Sequence, residues 1–420
     1  MQATKKIVIC GAGVAGIATA YYLKKLAPKI AITLIDKQQP LAYTSSKSGE
    51  NFRDYWPHPS MEALSSHSID LMEGLRKAYG ATAFNMEFSG YHFVSHQAAT
   101  PIFADDNAPA FKQRNEVITN SEIIHQKHPY LSPTIQKSVF IKKAGHVDSI
   151  TMANLLLTIA KSEGLTFVEA EIKDLHKNEN GFTVTLANHP SIEADQIVLA
   201  AGPFINHLAG MLGFELPVWN TLQRKFLIPD PKGIIPADMP FTIYADGQYL
   251  AWSEAEKAFF ESEESLKWLT QKFPGAIHIK PESGRLKMGW AFSTEKAKPQ
   301  WEIPPFEYFP QAVLKGASRF IPALANYAEN MPTPVIEYGG YYTRTKENWP
   351  LVGPTEMNNV FAVGALAGFG SMTACAVGEL CAQYIADKGL PDYAPYFHPN
   401  RYNNPVIKEV LDNLDMDGQL

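Results

Sequence analysis

Apolar residues fall into two rhythms along this chain, and the first segment shows both. Lys5-Lys6-Ile7-Val8-Ile9-Cys10 is a short apolar run that predicts a strand, Gly11-Ala12-Gly13-Val14-Ala15-Gly16 predicts a tight turn, and the apolar spacing beyond it predicts a helix. A second run, Ile30 to Ile35, ends on Asp36, twenty residues past Gly16. Helical spacing returns at 61–79, at 150–162 and, after a glycine-rich turn, from about Thr373 to Asp387. Strand patterns are predicted at 88–94, 165–170, 171–175, 181–187 and 197–203, the last ending in small residues. Residues 217–338 are richer in proline and aromatics, with strands expected at 222–228, 241–244, 248–252, 276–280 and 285–292. A charged helix pattern from Ser253 to Lys272 interrupts them, and its Glu254, Glu256, Glu261, Glu263 and Glu264 read as a solvated face.

Alternating strand and helix, followed by strand after strand, predicts an α/β chain of two domains. A Rossmann-type dinucleotide domain is expected from 1–87, 141–216 and 339–420, and an antiparallel substrate-binding sheet from 88–140 and 217–338, with a helical insertion near 253–272. The length of 420 residues agrees, since single cores stop growing at roughly 250–300 residues. A formal net charge of -6 with no long basic run argues against a nucleic-acid partner. Cys10, Cys375 and Cys381 are too few and too odd in number for a disulfide framework, so a reducing, cytoplasmic setting is expected. No apolar run approaches the ~18 residues of a transmembrane helix.

The opening segment carries the clearest chemistry. Gly11 permits the turn off the strand, Gly13 lets backbone approach a pyrophosphate, and Gly16 lets the helix pack closely on the sheet. The phosphates then meet the unpaired N–H groups of a helix N-terminus, and the Asp36 carboxylate can accept from ribose hydroxyls. This pattern fits FAD and NAD equally. Residues 41–57, polar and then aromatic, read as a cofactor wall or as a surface loop. His92, His96, His125 and His128 have spacings that could hold a metal, but with no accompanying cysteine or acid motif they read as strand and loop surface residues, and no metal site is expected.

Taken in order, four blocks resemble the FAD-dependent D-amino-acid oxidase family, the group that includes glycine oxidase and sarcosine oxidase. They are Gly11 to Gly16 with Asp36, Gly145-His146-Val147-Asp148, Ala194 to Gly202 with Leu208 to Gly213, and Trp349 to Pro354 with the glycine turn at 364–370. The resemblance implies a glutathione-reductase-like FAD domain with an antiparallel substrate domain over the flavin. It implies that Gly11, Ala12, Gly13, Val14, Ala15 and Gly16 hold the pyrophosphate, Asp36 and Lys37 the adenosine ribose, and Ile172 the adenine border. Ser45, Ser46 and Gly49 would lie near the ribityl chain or flavin, with Ala200, Ala201 and Gly202 at the end of a cofactor strand. Gly364, Gly368, Phe369, Gly370 and Met372 would face the flavin pyrimidine.

Two departures from the family matter. Gly340 stands where sarcosine oxidase-like members attach FAD through cysteine, so the flavin is expected to be non-covalent. Tyr342 stands where glycine oxidase-like members clamp a carboxylate with arginine, which leaves Arg344 and Arg53 as candidate clamps. Lys280, His278, Tyr249 and Tyr342 could line the pocket from the sheet side, and neither Lys280 nor Lys346 can be assigned a role toward dioxygen from spacing. The expected activity is oxidation of the C–N bond of an amino acid or amine by hydride transfer to flavin N5, with dioxygen or another electron acceptor. Alternatives are a 2-hydroxy-acid dehydrogenase using His58 or His278 as base, a FAD-binding protein without catalysis, and a nicotinamide-dependent dehydrogenase, for which no second glycine fingerprint appears.

Overall fold

The computed structural model describes residues 5–414. Two large sheets organise it. The first has six strands in the order Leu351–Pro354, Val360–Gly364, Gln196–Leu199, β1 (Lys6–Cys10), β2 (Ala31–Asp36) and Thr166–Glu169. All its pairings are parallel except the one between Leu351–Pro354 and Val360–Gly364. In β1, residues Ile7 to Cys10 are all buried, as a parallel strand covered on both faces requires. The chain leaves β1 through Gly11–Gly13 into α1 (Val14–Leu26), between strands that run off to either side, where a crevice opens at the carboxyl ends.

Helix α1 packs against the helix Gly370–Ile385, and a Cβ placed on Gly378 would come 2.5 Å from that of Ala18. The long helix Pro59–Tyr79 lies against Gly370–Ile385 in turn, starting with proline in its first turn and His58 as its cap. A meander of Ile172–Asn178, Gly181–Leu186 and Ile192–Ala194 covers part of the opposite face of the parallel sheet, with Leu175, Phe182 and Val184 joining its core.

The second sheet has eight strands in the order Ile336–Arg344, Trp219–Pro229, Arg285–Trp290, Ile277–Glu282, Phe241–Tyr244, Tyr91–Ser95, Lys137–Ile141 and Glu116–Ile118. Alternation divides its faces. Phe226, Ile228, Met288, Trp290, Ile277 and Ile279 point to a core completed by the helix Phe309–Ala317. The intervening residues point toward the parallel-sheet unit.

Three expectations need correction. Residues 248–252 form no strand beyond a single bridge between Gln248 and Phe273, because Leu250 and Trp252 turn into the core, where Trp252 Nε1 donates to Leu269 O at 2.8 Å. The helix expected from Ser253 to Lys272 is Glu254–Ser262, started by a Ser253/Glu256 capping box, and then a 3₁₀ turn, Glu264–Thr270, whose three-residue period brings Leu266 and Leu269 to one buried side. The boundary expected after residue 338 falls inside the strand Ile336–Arg344, which pairs with Trp219–Leu227 along its whole length, so residues 339–344 belong to the larger sheet.

Candidate active site

Where β1 ends, three local features expose backbone. Gly11 has φ of +117°, and a Cβ there would lie 2.5 Å from Ala200 O, so only glycine fits. A Cβ on Gly16 would lie 2.0 Å from Gly11 O, so the helix sits directly on the turn. Gly13 is the N-cap of α1 without a capping side chain, and the Val14 N–H donates to Ser45 Oγ at 3.2 Å. Asp36 closes the turn from the next strand, its carboxylate accepting from Ala12 N at 2.7 Å and Gln38 N at 3.1 Å. Burial raises its carboxyl above the ordinary value, and those amides pull the other way.

From Asp36 an elongated cavity of about 340 Å³ runs across the carboxyl ends of the parallel strands. Lys37, Glu171 and Ile172 line one end, Gly11 to Ala15 with Ala200 to Gly202 the middle, and Gly340, Tyr342 and residues 363–371 the other. That far end is built by a strained turn. Ala365 and Ala367 have φ of +54° and +46°, a left-handed conformation uncommon for residues with a Cβ. Ala367 N is held by Thr343 O at 2.9 Å, and a Cβ on Gly368 would strike the Tyr342 ring at 2.7 Å.

A second cavity of about 90 Å³ adjoins this end and shares Ser48, Gly49, Lys225, Tyr342 and Gly368 with the first. Its distinctive member is Arg53, which is 3% exposed. The guanidinium carbon lies 4.5 Å from the Trp56 ring centre and 5.4 Å from that of Phe93, Nε has no hydrogen-bond partner, and no carboxylate pairs with it among the described residues. Burial pushes its pKa down to about 10. Lys225, Lys287 and His278 from the large sheet line the same cavity. Burial and the neighbouring Lys287 and Lys280 lower Lys225 to about 7. His278 donates from Nδ1 to Ala276 O at 3.1 Å, and burial, with Lys225 beside it, lowers it to about 3, so it is neutral.

The sequence profile of the FAD dependent oxidoreductase family, DAO, matches residues 6–384. The chain belongs to that family. The bifunctional protein ThiO/ThiG of Synechocystis sp. is 22% identical over 420 residues, covering 97% of this chain and 56% of the relative. Glycine oxidase of Pseudomonas putida is 22% identical over 303 residues, covering 66% of this chain and 79% of that protein. The chain thus spans about half the length of the first of these relatives. Among solved structures, L-proline dehydrogenase from P. horikoshii superposes with a TM-score of 0.73 at 19% identity, covering 95% of this chain and 98% of that one.

FAD suits the long cavity on its geometry: the bare backbone at Gly11 and Gly13, the open helix N-terminus and the carboxylate at Asp36 match a pyrophosphate flanked by ribose. Gly11, Gly13, Val14 and Ala15 line it, as do Asp36, Lys37, Ser45, Gly49, Ile172, Ala200, Ala201, Gly202, Gly364, Gly368 and Gly370. Ala12 and Gly16 stand behind the wall as packing. Phe369 and Met372 face the smaller cavity. Ser46 does not reach either cavity, because its exposed hydroxyl donates to Ala42 O and Tyr43 O within the 3₁₀ turn Thr44–Lys47.

Of the residues expected at the substrate, Arg53 and Tyr342 meet at the smaller cavity. Arg344 lines neither cavity, and its Nε donates to Asn348 Oδ1 at 3.2 Å. Lys280 stands just behind, donating to Gly49 O at 2.9 Å, while Tyr249 is 64% exposed and away from both. His58 is a helix cap whose Nδ1 accepts from Ser60 N. The expectation of surface histidines fails at His92, which is buried and hydrogen-bonded to Ser138 Oγ at 2.7 Å, because its strand is internal to the sheet and the His128 ring packs with its centre 4.4 Å away. No cluster of three or more potential metal ligands occurs among the described residues. Nor is any of their helices long and apolar enough to cross a membrane.

Sequence reading missed Lys225, Lys287, Tyr91, Phe204 and Trp301, the last two joining Tyr43 of the 41–57 segment at the long cavity. Strand alternation from Lys280 through the expected neighbours at 285–292 and 222–228 could have found the lysines once register was known. Trp301 lies in a proline-rich segment with no periodicity and left no signal.

Proposed function

We propose that this protein oxidises the C–N bond of an amino acid or amine, with Arg53 holding the substrate carboxylate. The observation that carries this reading is a buried guanidinium without a counter-charge, in the wall of a small cavity that adjoins the far end of the long one. An unpaired buried charge is costly, and a planar fork of donors suits a carboxylate. The parallel-sheet unit, Rossmann-type and glutathione-reductase-like in its strand order, would hold FAD, and the antiparallel sheet would hold the substrate.

Bound FAD would supply the two-electron acceptor. The substrate loses a hydride from carbon and a proton from nitrogen, and the imine takes up water to release its amine. Arg53 fixes the carboxylate, Tyr342 and Met372 shape the walls, and Trp56 and Phe93 keep water from the guanidinium. Gly340 offers no nucleophile, which supports a non-covalent cofactor. Oxidation of a 2-hydroxy acid is the weaker reading, since it needs a base for the hydroxyl proton and His278, lowered to about 3, is a poor one.

The test is an anaerobic visible spectrum of the purified holoprotein titrated with D- and L-amino acids, N-methyl amino acids, simple amines and 2-hydroxy acids. Bleaching of the flavin bands by a nitrogen compound is expected. Bleaching by 2-hydroxy acids alone would move the conclusion to C–O oxidation, and no bleaching by any of them would leave a binding role. Recovery of colour in air distinguishes dioxygen from another acceptor.

A further inference from the structure

We propose that the substrate of this site carries two anionic groups, one gripped by Arg53 and the other by Lys225 and Lys287 of the large sheet. This rests on the reading above for the reaction that occurs between the two poles.

The register of the large sheet places the cations. Lys280 lies directly opposite Lys287, Gly289 lies opposite both His278 and Lys225, and paired residues share a face. Lys225, Lys280, Lys287 and His278 therefore crowd the face that looks toward the cavities, on three adjacent strands. Like charges directly opposite one another destabilise a sheet, so such a patch calls for a compensating anion.

The chain supplies too few. Glu282 is shared, 2.7 Å from Lys287 and 3.3 Å from Lys280. Glu50, the carboxylate in the smaller cavity's wall, already accepts from Ser149 N and Oγ at 3.1 Å each. Lys280 spends one proton on Gly49 O. Lys225 has no ion pair or hydrogen bond among the described residues, and its ammonium would lie 3.3 Å from a Cβ on Gly49, at the junction of the two cavities.

Elsewhere the chain treats buried cations differently. Lys137 is 2.7 Å from Asp106, Arg401 is paired with Glu347, and Lys24 is held by the carbonyls of Pro28 and Ile30. Around the smaller cavity, by contrast, four cations, Arg53, Lys225, Lys280 and Lys287, stand against two carboxylates, Glu50 and Glu282. Arg53 packs over Tyr91 and Phe93, and the strands Phe241–Tyr244 and Ile277–Glu282 lie between theirs and that of Lys287, so a ligand bearing a single acid leaves one pole unmatched. A second carboxylate and a phosphate-type group share the chemistry that would satisfy it.

The experiment is titration calorimetry of the FAD-loaded protein with acids that it cannot oxidise: propionate, succinate, glutarate and 3-phosphonopropionate. Succinate, glutarate or the phosphonate is expected to bind at least about tenfold tighter than propionate, the better of them identifying the second group as carboxylate or phosphonate. In Lys225→Met and Lys287→Met, flavin absorbance reports folding, and the advantage of the dianions should shrink to about twofold, with Lys225→Arg restoring it. Equal affinity of wild type for propionate and all three dianions would overturn the proposal, whatever the variants do. Bleaching by monoanionic amino acids together with that equality would leave C–N oxidation standing. Dianion preference with no bleaching by any amine would do the reverse.

Discussion

The two cavities share five residues yet are built from different materials. The middle of the long one and its glycine-rich turn are walled by backbone and small side chains, Gly11, Gly13, Ala200, Ala201, Gly202, Ala365, Gly368 and Gly370, with rings and charges such as Tyr43, Trp301 and Lys37 beside them. The small one is walled by side chains with charge or rings: Arg53, Tyr91, Lys225, Phe241, His278, Lys287, Tyr342 and Phe369. A backbone wall recognises what every member of a family binds, because its donors and its close approach come from chain geometry. A side-chain wall can be exchanged residue by residue without disturbing the sheet that carries it. On the function proposed above, the first would hold the cofactor and the second the substrate.

The contrast breaks most visibly at Gly11. Gly11→Val would place a branched side chain against Ala200 O at a positive φ, and loss of essentially all bound flavin, read as the absorbance ratio of visible to protein bands, is expected. Normal flavin content in that variant would show the wall to be side-chain dependent after all. Next in size is Arg53→Met, expected to lower kcat/KM for a carboxylated substrate by about 10²–10³-fold while flavin content holds, since a charge-assisted pair is lost outright. Equal flavin loss in this variant would merge the two regions into one.

A smaller effect separates binding from stability. Lys225 titrates near 7 in the folded chain and at roughly 10.4 when unfolded, so between those values the unfolded chain holds a proton that the folded one has released, and stability rises with pH. Lys225→Met should flatten that slope and stabilise the protein by about 1–2 kcal/mol at pH 6 by thermal unfolding, as removal of an uncompensated buried charge does. Wild-type affinity for a dianion should fall as pH rises from 6 to 9, as Lys225, facing Lys280, Lys287, His278, Tyr338, Glu50 and Glu282, loses its charge. The least perturbing check is acid precipitation: all the yellow colour should appear in the supernatant, and colour in the pellet would reveal a covalent link.

The same contrast explains what could be read from residues alone. The turn at Gly11 to Gly16 and the acid at Asp36 are legible because one continuous stretch, from Lys6 to Asp36, builds a strand, a turn, a helix and a second strand, all within reach of one pattern. The strands of the second sheet were mostly placed, but their order was not, and Lys225 joins the hairpin pair Lys280 and Lys287 in one patch only through the long-range pairing that sets it opposite Gly289. Ser46 shows a limit of another kind. Its neighbour Ser45 points at the helix N-terminus while Ser46 turns to solvent, a difference set by one 3₁₀ turn that composition does not encode. Likewise Leu250 and Trp252 alternate as a strand would, yet their side chains are drawn into a core supplied by the following helix.

The bond from Ala367 N to Thr343 O ties the glycine-rich turn of the parallel-sheet unit to a strand of the other sheet, and the Tyr342 ring is wedged beside it against Gly368. Lys280 adds a second tie, to Gly49 O. Two hydrogen bonds and a packed ring thus rivet the two units together at the junction of the cavities, and a mutation that removes one rivet would be felt on both sides at once.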